Sequence, residues 1–180
     1  FLFFLMTPLF GLMRALQPLI GINYGAKQFD RVKESLLKFT KAGILLVIPF
    51  WLLLTIFPDA SMRLLLPDMI FSDQDLFNVR VYVSVLPLLP LVFMALTFFP
   101  AIKEEKYASI IGLARQLIFY VPAMLLLPRF FGIEWVYYGS TIIDVIITLW
   151  ILLVIVKLFK KLSTCVDKDI IHSGQIATNG

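Results

Sequence analysis

From Val81 to Ile102 the chain carries no charged side chain, and neither does the stretch from Ala42 to Pro58. No other feature restricts the fold as much. A charge-free run of about 20 residues, wound as a helix, matches the roughly 30 Å hydrocarbon core of a bilayer. Within hydrocarbon every backbone N–H and C=O must be bonded inside the segment, which a helix achieves. Composition agrees: 60% of residues are hydrophobic, 16% are charged and the mean hydropathy is +0.91, against about half and a quarter for soluble domains. These observations predict an integral membrane protein of the all-α class, a polytopic helix bundle.

Taken in order, Phe1 to Leu16 is apolar except for Thr7 and Arg14 and is too short for a full span. It reads as the end of a truncated helix, and the start at Phe1 without Met leads us to expect a piece of a longer protein. Pro18 lacks an N–H and restrains Gln17, so the first helix is predicted to stop there. Gly21 and Gly25 would supply a tight turn, with Asn23 bonding its own backbone. Asp30 to Thr40 is expected as an interfacial helix. Ala42 to Pro58 is a second span with a predicted kink at Pro49, and Met62 to Leu66 is a short interfacial helix in an acidic loop. The third span, Val81 to Ile102, is interrupted by Pro87, Pro90 and Pro100. Lys103 to Lys106 forms a turn, Tyr107 to Pro128 a fourth span, and Trp135 to Val156 a fifth, entered through an aromatic collar of Trp135, Tyr137 and Tyr138. The expected organisation is a membrane lobe over residues 1–161, with about five spans of which the first is truncated, and a polar, disordered tail over 162–180.

Basic residues set the orientation. Lys27 to Lys41, Lys103 with Lys106, and Lys157 to Lys168 fall on one side, against only Arg63, Arg80 and Arg129 on the other. The first group is expected to be cytoplasmic, and the C-terminus with it. The net charge of +4 is thereby explained by topology, and nucleic acid is excluded as a partner. Cys165 is the only cysteine, so no intrachain disulfide can form.

Ionisable groups inside spans are the first functional candidates. Arg115 lies roughly 12 Å in from Tyr107 and Asp144 roughly 14 Å in from Trp135, at the helical rise. In consecutive antiparallel helices these depths nearly coincide, so the two are predicted to face each other. A structural ion pair is favoured over a protonation switch or substrate counter-ion, because a neighbouring guanidinium favours the charged carboxylate. Arg14 could contact substrate or snorkel to headgroups. Gln17, Asn23 and Tyr24 could line a cytoplasmic gate or merely satisfy turn backbone. On the third span Tyr82, Met94 and Phe98 are candidates for an adaptable apolar cavity wall, with lipid contact as the plainer reading. The sequence has no paired-carboxylate motif, no His or Cys metal set and no phosphate-binding glycine loop, and His172 stands alone, which argues against an enzyme, a metal site or a cofactor.

Gly11, the run Leu16-Gln17-Pro18-Leu19-Ile20-Gly21, then Asn23-Tyr24-Gly25-Ala26-Lys27 and Arg31-Val32 resemble the eighth-helix signature of the multidrug and toxic compound extrusion (MATE) transporters, bacterial drug-efflux branch. Leu113-Ala114-Arg115-Gln116, Leu127-Pro128-Arg129-Phe130-Phe131-Gly132-Ile133 and Asp144 are similar to that family's eleventh and twelfth helices. The resemblance implies the C-terminal lobe of a twelve-helix transporter, from the end of the eighth helix onward. It further implies secondary active efflux of drugs or organic cations in exchange for protons or sodium across the plasma membrane, with the missing N-terminal lobe of the same polypeptide and the lipid bilayer as partners. The chain departs from the family pattern at Pro100 and Lys103, where relatives often have Gln and Gly, and at Trp135 and Tyr137, where they often have Gly and Trp. The third span also lacks the tenth-helix carboxylate of some members. Two other readings are a lipid-linked glycan flippase of the same superfamily, supported by Arg14 and Arg115, and a membrane-embedded transferase, for which Asp73 and Asp75 are the nearest acidic pair.

Overall fold

The computed structural model describes the backbone of residues 2–65, 70–132 and 135–178, and side chains between residues 6 and 160 apart from 65–69 and 133–134. It is all-α, with no strand among the described residues. The helices are α1 (Leu2–Gly25), α2 (Phe29–Ile56), α3 (Pro58–Leu65), α4 (Asp73–Val83), α5 (Leu89–Ala101), α6 (Glu105–Leu113), α7 (Val121–Phe131) and α8 (Trp135–Thr178). A 3-10 turn over Leu86–Leu88 links α4 to α5, and a π-helix over Ala114–Tyr120 links α6 to α7. Among the described residues four stretches are long and apolar enough to cross a membrane: Phe29–Ile56, Asp73–Ala101, Glu105–Phe131 and Trp135–Lys160. The chain is an integral membrane protein.

The first helix does not end at Pro18. It continues through Pro8 and Pro18 to Gly25, since prolines are tolerated where neighbouring helices compensate the lost backbone bond. It closes with a Schellman motif: Lys27 N–H donates to Tyr24 O at 3.0 Å, and Gln28 N–H to Asn23 O at 2.9 Å. The residue in the left-handed region is Lys27, φ 56°, rather than Gly21 or Gly25. Asn23 Nδ2 donates back to Leu19 O at 2.8 Å instead of forward into a turn. The same motif ends α5, where Lys103 has φ 62° and the N–H groups of Lys103 and Glu104 reach Pro100 O and Phe99 O at 3.0 and 2.9 Å. Lys103 thus holds the conformation that glycine adopts most easily.

Three further expectations are revised. The interfacial helix and the second span are one uninterrupted helix, α2, which passes through Pro49. The third span breaks at Pro87 as expected, but not at Pro90, in the first turn of α5, or at Pro100, near its end. The backbone of α8 stays helical to Thr178, where a disordered tail is expected from composition.

The core is centred on α5. Met94, Ala95, Phe98 and Phe99 are completely buried there, against Leu9, Leu16 and Ile20 of α1, Val32 and Val47 of α2, and Ile147 and Ile151 of α8. Phe98 stacks on Phe159 of α8 with ring centroids 5.4 Å apart. Gly43 marks the closest approach of α1, α2 and α5: a Cβ there would lie 2.9 Å from Pro90 Cβ and 3.2 Å from Leu9 Cδ2. The continuous span from α6 to α7 is largely exposed, with Leu117, Ile118, Leu125 and Phe130 all more than half accessible. Such an apolar surface is stable against lipid or further protein, not water.

Candidate functional site

Arg115 stands on the π-helix and Asp144 on α8. Pro122 accounts for the wide register just before it. Having no N–H, it cannot bond Ile118 O, and its ring crowds that carbonyl; the N–H of Val121 is bonded five residues back, to Gln116 O. Single π-segments inside α-helices recur at functional sites. From this segment Arg115 donates Nε and Nη2 to Asp144 Oδ1 at 3.0 and 2.7 Å. The guanidinium also lies 5.5 Å from the centre of the Tyr120 ring, in cation–π range. Both side chains are shielded, the acid more than the base, with 14% and 32% of their surface accessible.

The pair forms one wall of a small cleft of about 90 Å3 that also holds Tyr82, Leu86, Tyr120, Ser140 and Thr141. Thr141 Oγ1 donates to Val81 O at 3.2 Å and to Tyr137 O at 3.0 Å, fastening α4 to α8. Tyr82 packs edge-on against Tyr137, 6.2 Å between centroids. Tyr82 is therefore gathered with the ion pair, a grouping the sequence reading does not make. Met94 and Phe98 are fully buried in the helix core and are closed off from any cavity. The cavity-wall assignment for these two is corrected: both belong to the buried core cluster around α5.

Arg14 and Gln17 are exposed on α1. Gly11, Arg14, Pro18, Gly21 and Gly25 follow a three- and four-residue spacing that puts them on one helical stripe, opposite the buried Leu9, Leu16 and Ile20. A Cβ at Gly11, Gly21 or Gly25 would meet no described residue within 4 Å. Tyr24 packs edge-on against Phe29, 5.7 Å between centroids. The signature residues Gln17, Pro18, Gly21, Asn23, Tyr24 and Gly25 thus belong to the last turns of a helix and not to a loop.

Two polar groups escaped the sequence reading. Trp51 Nε1 and Thr55 Oγ1 are buried one turn apart on α2 with no hydrogen-bond partner among the described residues, and the Thr55 carbonyl accepts Arg80 Nε at 3.2 Å. Their one-turn spacing was the available signal. Asp73 and Asp75 open α4: Ser72 Oγ accepts the Asp75 N–H at 3.2 Å while Asp75 Oδ2 accepts the Ser72 N–H at 3.0 Å, a capping box. No group of acidic, His or Cys side chains able to hold a metal occurs among the described residues.

The family model MatE matches residues 1–125. The chain belongs to the MATE family. Among solved structures, it is 30% identical to the MATE multidrug transporter DinF-BH, determined in complex with a ligand, with a TM-score of 0.76 over 86% of this chain and 35% of that one. An outward-facing multidrug resistance MATE transporter of the MOP superfamily matches at 17% identity and a TM-score of 0.74, over 89% of this chain and 36% of that one, which speaks for the fold alone. No curated protein sequence matches significantly. The chain spans about a third of the length of these solved structures. MATE proteins are transporters and not enzymes, so the transferase reading falls, and Asp73 and Asp75 are left with their capping role.

Proposed function

We propose that the chain is the C-terminal lobe of a twelve-helix MATE exporter. In this reading the complete protein expels organic cations or related drugs across the plasma membrane in exchange for inward protons or sodium. The observation that carries the proposal is the 30% identity with DinF-BH, a multidrug transporter solved with a bound ligand, over 86% of this chain. The open stripe of α1 supports it. Arg14 and Gln17 are exposed beside three glycines at which an added Cβ would meet no described residue, as expected of a face that meets a partner lobe or a wet cavity. In this arrangement the basic end, with the start of α2 and the last turns of the α8 span, faces the cytoplasm. Arg115 and Asp144 hold the eleventh and twelfth helices in register. Ethidium efflux from cells expressing the complete reading frame tests this: efflux should stop when an ionophore collapses the proton and sodium gradients. Absence of efflux despite confirmed membrane insertion would contradict it and favour the flippase reading.

A further inference from the structure

At the basic end of the bundle, the first turns of α2 and the Leu152 to Lys160 stretch of α8 diverge around a groove of about 890 Å3. Among the described residues its rim carries Lys27, Arg31, Lys33 and Lys160 together with the acid Asp30. The next acid along α2, Glu34, is turned to Lys38 at 2.7 Å. The floor is apolar, and three of its residues are open: Leu37 is 50% accessible, Leu152 39% and Val156 52%. Both walls belong to membrane spans, so the floor adjoins hydrocarbon while the rim lies where the spans leave it.

We propose that this groove binds an anionic phospholipid of the surrounding bilayer, with its phosphate at Arg31 and Lys33 and an acyl chain along Leu37, Leu152 and Val156. Charge complementarity selects the headgroup. Arg31 and Lys33 at the rim attract a phosphodiester and give a zwitterionic headgroup, which brings a cation of its own, no net advantage; basic pockets between spans hold acidic lipid heads in this way. The floor selects a lipid over a free anion, since a small phosphate would leave the exposed apolar wall uncovered. Lysine and arginine stems can lie along that wall and keep their charges at headgroup depth. The inference depends on the membrane placement of α2 and α8 and not on the transport reading.

The test uses the protein from the complete reading frame, reconstituted in phosphatidylcholine bilayers with spin-labelled phosphatidylglycerol or spin-labelled phosphatidylcholine as probe. The immobilised fraction of label should show selective retention of phosphatidylglycerol. Arg31→Gln/Lys33→Gln should weaken that retention about thirtyfold. Leu152→Trp, which fills the floor and leaves every charge in place, should weaken it as well. Lys41→Gln/Lys106→Gln removes the same charge from exposed positions outside the groove and should leave retention unchanged. Equal loss in this control would assign the effect to the general positive field and overturn the site. Absence of selectivity in the unaltered protein would mean that the groove is covered by another part of the polypeptide, and would overturn it too. Glycerophosphoglycerol, the headgroup without its chains, should not compete; if it displaced the lipid at equal concentration, the apolar floor would be idle and the lipid assignment wrong.

Discussion

The Nε and Nη2 atoms of Arg115 converge on a single oxygen of Asp144, at 3.0 and 2.7 Å, across the interface between the π-helix and α8. A charged pair in this position stabilises packing only while both partners remain. Removing one leaves a poorly solvated charge, which costs about 3 to 5 kcal/mol for a buried pair and less here, where a third of the arginine side chain is accessible. Arg115→Met is therefore expected to lower stability by about 2 kcal/mol, and Asp144→Asn by a similar amount. The exchange Arg115→Asp/Asp144→Arg should recover part of either loss. Thermal unfolding of the detergent-purified protein checks this; an exchanged protein no more stable than the single variants would rule out the pairing.

The two Schellman closures make a prediction in the opposite direction. Lys27 and Lys103 occupy left-handed backbone, φ 56° and 62°, which disfavours any residue with a Cβ by about 1 to 2 kcal/mol. Lys27→Gly and Lys103→Gly should each stabilise the protein by about 1 kcal/mol, offset in part by the greater unfolded-state entropy of glycine. A rise in melting temperature for both variants is the expected result, and a fall in both would mean that the lysine side chains hold these turns.

Gly43 cannot accept a side chain without moving rigid neighbours, because Pro90 Cβ is a ring atom only 2.9 Å from where its Cβ would be. Gly43→Val should cost about 1 to 3 kcal/mol through overpacking. Gly139→Ala meets only the terminal methyl of Leu127, which can rotate away, so its effect should be the smaller of the two. Comparing the melting temperatures of the two variants decides the order.

Much of this architecture could be read from the residue sequence, for reasons that also mark the limit. The charge-free runs fix the spans because hydrocarbon admits few charges. The Arg115–Asp144 meeting followed from helical rise and antiparallel order alone. The facing of Met94 and Phe98 was not legible: α5 is apolar on all sides, so no polar stripe tells core from lipid. The end of α1 was misplaced because Pro18 and Gly21 obey soluble-helix rules that a packed membrane helix overrides. Nor did the residues announce the π-register of Ala114 to Tyr120; only Pro122 hints at it, through the bond it cannot make.

The capping box of α4 offers a local check on the loop that precedes it. Ser72 and Asp75 satisfy each other's backbone N–H groups, and Ser72→Ala should lower stability by about 1 kcal/mol without affecting membrane insertion. Hydrogen exchange in the first turn of α4 should accelerate, and unchanged protection there would show that the cap contributes nothing.

The central claim is that this lobe belongs to an ion-coupled exporter. The most direct measurement is ion flux in proteoliposomes holding the protein from the complete reading frame under an imposed proton or sodium gradient. Adding ethidium should accelerate dissipation of one of the two gradients in a saturable manner. Gradients that decay at the same rate with and without ethidium, in vesicles where insertion has been verified, would contradict the account.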